Sequence, residues 1–113
     1  MTECLFCKIR DGQIPAKIVG ENEHALAFRD LAPQAPTHIL IIPRKHLSSL
    51  ADADASDETG LGAMHLLAAK IAVDEKLLSG YRTVVNTGAD AGQSVFHLHM
   101  HLLGGRKLAW PPG

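Results

Sequence analysis

His97-Leu98-His99-Met100-His101-Leu102-Leu103 alternates imidazoles with apolar side chains at the two-residue period of a β-strand. On such a strand the three histidines share one face, while Leu98, Met100 and Leu102 turn toward a core. A whole face of a buried strand is thereby given to groups that titrate near neutral pH. A single strand histidine is ordinarily a surface residue or a hydrogen-bonded core group, but three in register point to chemistry. At about 3.3 Å per residue, His97 and His101 lie roughly 13 Å apart at the backbone, too far for all three to converge on one ion. Two neighbours at i and i+2 could share a metal; the other reading is acid–base or nucleophilic work by imidazole, with a separate task for each ring.

The rest of the composition bounds the setting. A chain of 113 residues that is 46% hydrophobic makes one domain spanning residues 1–113, large enough to bury roughly two-thirds of its unfolded surface. Its 11 basic and 12 acidic side chains leave a net charge of −1, with no basic run, which argues against a nucleic-acid partner and leaves a small anionic ligand open. The start, Met1-Thr2-Glu3-Cys4, has no cationic stretch leading into an apolar one, and nowhere do about 18 apolar residues run together. The expectation is a soluble, cytoplasmic protein with no membrane partner. Cys4 and Cys7 cannot build a disulfide scaffold, so they read as metal ligands, a redox pair or ordinary buried thiols.

Working outward from the histidines, Thr83-Val84-Val85 reads as a strand and Ser56 as the N-cap of a long helix. Asp57 and Glu58 suit that helix's positive end, Leu61, Met64, Ala68 and Ile71 form its buried stripe, and Ser79-Gly80 stops it somewhere after Leu78. His38-Ile39-Leu40-Ile41-Ile42, halted by Pro43, is a buried strand too short for a helix. Lys17-Ile18-Val19 and Ala25-Leu26-Ala27-Phe28 form a hairpin-like pair, and Cys4 to Arg10 a short N-terminal helix. Short connections favour antiparallel neighbours. The fold class is α+β: an antiparallel meander of about five strands, one long helix and the short N-terminal helix. Between the last two strands, Asn86-Thr87-Gly88-Ala89-Asp90-Ala91-Gly92-Gln93-Ser94 is a loop whose glycines let backbone N–H groups approach an anion, with Ser94 adding a hydroxyl. Beside three histidines, a phosphate held there describes a phosphoryl- or nucleotidyl-transfer site.

The signature His-φ-His-φ-His-φ-φ, with φ apolar, matches residues 97–103 at every position, and the chain resembles the histidine-triad (HIT) superfamily. Phe28-Arg29-Asp30, the run Pro33 to Pro43, Gly92 to Phe96, Leu103-Gly104-Gly105-Arg106 and Trp110-Pro111-Pro112-Gly113 extend the likeness, which is greatest to the nucleotide-binding Hint branch of phosphoramidate hydrolases. That resemblance implies a HIT-like fold and cleavage of purine nucleoside phosphoramidates, AMP or GMP adducts with amines, through a nucleotidyl-histidine intermediate. It implies His99 as nucleophile, His101 at the phosphate or leaving group with Ser94 helping to protonate the departing amine, and His38 as an orienting group. It further implies Asp30 on the ribose hydroxyls, Phe28 and Leu31 around the nucleoside, and Asn86, Gly92, Gln93 and Ser94 around the phosphate. Related bacterial proteins with a Cys-x-x-Cys pair resemble zinc binders, which here would use Cys4, Cys7, His46 and His97; no catalytic metal is expected at the triad. The likeness also implies a homodimer whose sheets merge into one of ten strands, with the tail at residues 110–113 near the partner's pocket. A non-catalytic AMP- or GMP-binding interaction module and a dinucleoside polyphosphate hydrolase are the competing readings. Ala91 stands where many relatives have glycine, which puts the geometry of the phosphate loop in question. His24 and His65 match nothing and read as ordinary surface or helix residues.

Overall fold

The computed structural model describes residues 4–113; Met1, Thr2 and Glu3, on which the reading of the N-terminus drew, lie outside the described residues. The chain runs through α1 (Leu5–Arg10), β1 (Ile18–Glu21), β2 (Ala25–Arg29), β3 (Thr37–Pro43), α2 (Glu58–Asp74), β4 (Tyr81–Val84) and β5 (Met100–Gly104). All strand pairings are antiparallel, in the order β1-β2-β3-β5-β4. The expected meander therefore holds only from β1 to β3. The segment containing α2 carries the chain to the far edge, where β4 forms, and β5 returns between β3 and β4. Burial explains the swap: alternate residues of β5 are fully buried and need neighbours on both sides, whereas β4 alternates exposed and half-buried positions, which suits an edge.

Every residue of β3 is buried because the sheet is covered on both faces. On one, Ile39, Ile41, Met100 and Leu102 pack against Met64, Leu67 and Ile71 of α2. On the other, Leu26, Phe28, Leu40 and Ile42 pack against Phe6 of α1. Gly104 serves the first face, since a Cβ there would lie 2.7 Å from Leu77.

Three boundaries differ from those expected. The cap before α2 is Asp54 rather than Ser56: the Asp54 side chain accepts from the Ser56 N–H and the Asp57 side chain accepts from the Asp54 N–H, closing a capping box over a 3-10 turn at Ala55–Asp57. Helix α2 ends at Asp74, before Leu78, because Lys76 takes a left-handed φ of 60° and Leu77 folds back to donate to the Ala72 carbonyl. Finally, β5 starts at Met100. His97 and His99 precede it on an irregular segment held by the Leu98 N–H to Leu47 carbonyl bond of 2.7 Å, so only His101 of the three belongs to the ladder.

Candidate active site

The three histidines nevertheless share the α1 side of the sheet: the Phe6 ring lies 6.0 Å from that of His97 and 5.1 Å from that of His99, and the His99 and His101 rings are 5.0 Å apart. Their hydrogen bonds set them to different tasks. His99 is buried, with Nδ1 2.8 Å from the carbonyl of His97. A carbonyl only accepts, so Nδ1 carries the proton and Nε2 keeps a free lone pair. His38, on β3, accepts from the Gln34 N–H at Nδ1 (3.0 Å), so its proton sits on Nε2 and is donated to Nδ1 of His101 at 2.8 Å. His101 must then bear its own proton on Nε2. The result is a lone pair on His99 beside an N–H donor on His101, the pair of groups that displacement at phosphorus requires.

Burial holds the His38 and His101 rings neutral. It pushes His101 down to about 4, with the charges of His99 and His38 acting in the same direction and Asp30 opposing. His38 is lowered for the same reason, again against Asp30, whose Oδ2 lies 3.4 Å from its Nε2. The other carboxylate oxygen of Asp30 accepts from the Ala32 N–H, which orients the group at the end of β2.

Beside the histidines an apolar cavity of about 260 Å³ is lined by Phe6, Phe28, Asp30, Leu40 and Val95, with Leu31, wholly exposed, at its mouth. Phe28 and Leu40 reach it because paired residues of β2 and β3 point to the same face. In the loop of residues 86–94, Gln93 has a part other than the one expected of it. Its Nε2 donates to the carbonyls of Ser48 and Val95, its Oε1 accepts from the Gly88 N–H, and its own N–H goes to the Gly88 carbonyl. The amide's two donors and its acceptor are thus engaged, so Gln93 shapes the loop from beneath and its side chain is not left to contact a phosphate. Gly92 is left-handed (φ 91°), ending a 3-10 turn at Ala89–Ala91. Ala91 lies within that turn, where alanine fits as readily as glycine, so the loop geometry is not disturbed by it. Ser94 is exposed after the loop and Asn86 half-buried before it.

Behind the triad, Cys4, Cys7, His46 and His97 converge, with one donor atom from each lying within 4.8 Å of the others. His97 Nδ1 is 3.3 Å from Cys4 Sγ, 3.5 Å from Cys7 Sγ and 3.1 Å from His46 Nδ1. Edges of about 3.3–3.8 Å follow from tetrahedral zinc with ordinary Zn–N and Zn–S bonds, so this donor set fits the ion closely. His97 Nε2 faces the Pro43 carbonyl at 3.0 Å and donates to it, which turns the Nδ1 lone pair toward the cluster; burial lowers this imidazole to about 4 and keeps it a neutral donor. His24 is only partly covered and His65 is exposed, as surface residues should be.

The HIT domain profile matches residues 11–108. The chain belongs to the HIT domain family. It is 54% identical, over 98% of its length and 97% of the relative's, to an uncharacterized HIT-like protein of Synechococcus elongatus. A HIT family hydrolase from Legionella pneumophila has the same fold, with 51% identity, a TM-score of 0.95 and coverage of 98% of this chain and 100% of that one. A histidine triad nucleotide-binding protein from Candida albicans is more distant, at 31% identity and a TM-score of 0.83 over 96% and 83% of the two chains. Among the described residues, no helix of this HIT domain is long and apolar enough to cross a membrane. Two features of the site had no signal in residue type. The Gln34 N–H and the His97 carbonyl fix which ring nitrogens carry protons, and both are backbone groups. Arg106, whose Nε donates to the Gln34 carbonyl, braces the loop that supplies the first of them.

Proposed function

We propose that this HIT domain is a hydrolase of the nucleotide-binding Hint branch that cleaves purine nucleoside phosphoramidates through a nucleotidyl-His99 intermediate. The observation that carries this reading is the tautomer pair, a free Nε2 lone pair on His99 beside an Nε2–H on His101. The nucleoside lies in the apolar cavity with its ribose hydroxyls on Asp30, and the phosphate sits between the loop of residues 86–94 and the histidines. His99 Nε2 attacks phosphorus; the phosphorus–nitrogen bond breaks, and the amine leaves with the proton from His101 Nε2, helped by the Ser94 hydroxyl. Positive charge forming on the His99 ring is stabilised by its Nδ1–H on the His97 carbonyl. Water then attacks phosphorus, returns a proton to His101, and the His99 bond breaks to release the nucleoside monophosphate. A purely binding module has no use for a nucleophile and a donor held in these tautomers. A dinucleoside polyphosphate would use the same groups with a less basic leaving atom.

Zinc in the Cys4, Cys7, His46 and His97 site supports this arrangement from behind, since it fixes the residue whose carbonyl orients His99. The test is turnover of an adenosine phosphoramidate, with a slow substrate quenched during reaction. We expect an added nucleotidyl mass on the peptide carrying residues 97–101, mapped to His99. Absence of turnover, or an adduct elsewhere, overturns the reading.

A further inference from the structure

Helix α1 is only six residues long, and a helix that short does not hold its place in water without outside anchors. Cys4 at its N-cap and Cys7 in its first turn face His46, which follows β3, and His97, which precedes β5. The Phe6 ring, set edge-on to Phe28 at 5.5 Å, and Arg10 Nη1, which donates to the Arg44 carbonyl at 2.7 Å, also tie α1 to the sheet.

The other flank of the same helix closes the apolar cavity. Leu5, Phe6 and Ile9 line it from α1, while Phe28 and Leu40 line it from the sheet beneath. Helical spacing separates the two flanks: Cys4 and Cys7 lie three apart on one side, Leu5 and Ile9 four apart on the other. The width of the cavity therefore depends on where α1 sits, and the Cys₂His₂ cluster helps to fix that position. Phe6, placed between the two cysteines, bridges the sites directly. Its ring lies 6.0 Å from that of the cluster residue His97 and 5.1 Å from that of His99, as well as against Phe28 in the cavity wall. With the four donors fixed by an ion, a base entering between α1 and the sheet meets a preformed wall. Without the ion, part of its binding free energy goes into ordering α1. Two ligands that favour the same docked position of one element favour each other.

We propose that α1 couples the two sites, so that metal held by Cys4, Cys7, His46 and His97 tightens a purine nucleotide in the cavity and the nucleotide slows loss of the metal. The domain's capacity for nucleotide then follows the supply of zinc. This rests on the nucleotide-binding reading above and adds a regulator to that site. In the test, zinc-loaded protein is mixed with excess chelator and loss of the metal is followed with and without saturating AMP, whose binding is measured in parallel by calorimetry. We expect AMP to slow zinc transfer about tenfold. Ribose 5-phosphate, which has the same phosphate and no base, should slow it much less. The variant L5A/I9A should remove most of the AMP effect, whereas V95A, which trims the cavity outside α1, should keep it at saturating AMP. A general stabilisation of the fold by bound ligand would protect the metal equally in both variants, so their difference isolates the helix. AMP that binds without slowing zinc loss, an equal effect of ribose 5-phosphate, slowing that survives L5A/I9A unchanged, or a chain that takes up no zinc overturns the coupling and leaves the nucleotide reading standing. AMP that does not bind at all overturns both.

Discussion

A proton held on its far nitrogen leaves His99 Nε2 with a free lone pair, and the group that holds that proton is a backbone carbonyl two residues earlier. Replacing His99 by Ala should lower turnover by at least ~10³ if covalent catalysis carries the reaction, while AMP affinity, measured by calorimetry, changes by less than about tenfold because ribose and loop contacts remain. His101→Ala should behave differently: its penalty should be large for alkylamine leaving groups and small for weakly basic ones, since its proton matters only when the departing nitrogen needs one. A loss independent of leaving-group basicity would remove His101 from that role. The same residue gives a sign for acid stability. Its folded pKa of about 4 lies below the ordinary 6.5, so the unfolded chain binds the extra proton first, and stability present above pH 6.5 is lost as pH falls toward 4. In thermal melts, wild type should therefore lose ground relative to His101→Gln across that window. Residue types singled out the triad histidines and the cysteines in the sequence, and the family resemblance pointed to Asp30; neither revealed the tautomers, because the Gln34 N–H and the His97 carbonyl look like any others. Gln93 shows the same limit, since its sequence position beside the loop says nothing about where its amide is satisfied.

At the scale of elements, the Cys₂His₂ cluster joins pieces that are otherwise only adjacent. Cys4 caps α1, accepting the Cys7 N–H; His46 follows β3; His97 precedes β5. Removing a structural zinc from such a junction costs several kcal/mol of folding free energy, which corresponds to a fall in Tm of more than about 10 °C for a domain of this size. Protein purified without a polyhistidine tag should hold about one zinc per chain; chelation should lower Tm by that amount, and Cys4→Ser with Cys7→Ser should abolish the chelator's effect. A chain that holds no zinc and melts identically with and without chelator would exclude the site. Gln93→Ala probes the loop in the same way: it orphans the Gly88 N–H and two carbonyls, at about 1–3 kcal/mol for each group that water cannot reach. Element types were legible because β3 is a continuous apolar run and α2 carries its stripe at helical spacing. The end of α2 was not, since its left-handed stop is a lysine where sequence reading looks for glycine. The start of β5 was hidden as well: alternation continues through His97 and His99, although the Leu98 N–H leaves the sheet for Leu47.

For the molecule as a whole, the order of the strands decides what is left uncovered. Helix α2 packs over β1, β2 and β3, while β4 stands at the edge with Tyr81 and Thr83 exposed. By their pairing, Tyr81 with Gly104 and Thr83 with Leu102, these residues face the α2 side. The outer surface of α2 is apolar too: Gly62, Leu66, Ala69 and Val73 are exposed at four-, three- and four-residue spacing, with Leu66 at 73% and Val73 at 66%. A swapped strand order could not be read from chain connectivity, and this exposed pairing of edge and helix follows from it. We propose that a second copy covers both through a two-fold axis, pairing β4 edge to edge into the ten-strand sheet that the family resemblance implies. Sedimentation at micromolar concentration should then give twice 12.1 kDa, and the double variant L66E/V73E should halve that mass while the circular dichroism of the monomer stays native-like. The exposed tail at Trp110, which follows the Ala109 carbonyl held by Arg82, would lie near the partner's site. Deleting residues 110–113 should therefore change the ranking of leaving groups more than it changes Tm. A wild-type mass of 12.1 kDa at those concentrations rules the dimer out, and a tail deletion that lowers Tm without altering that ranking confines the tail to a structural part.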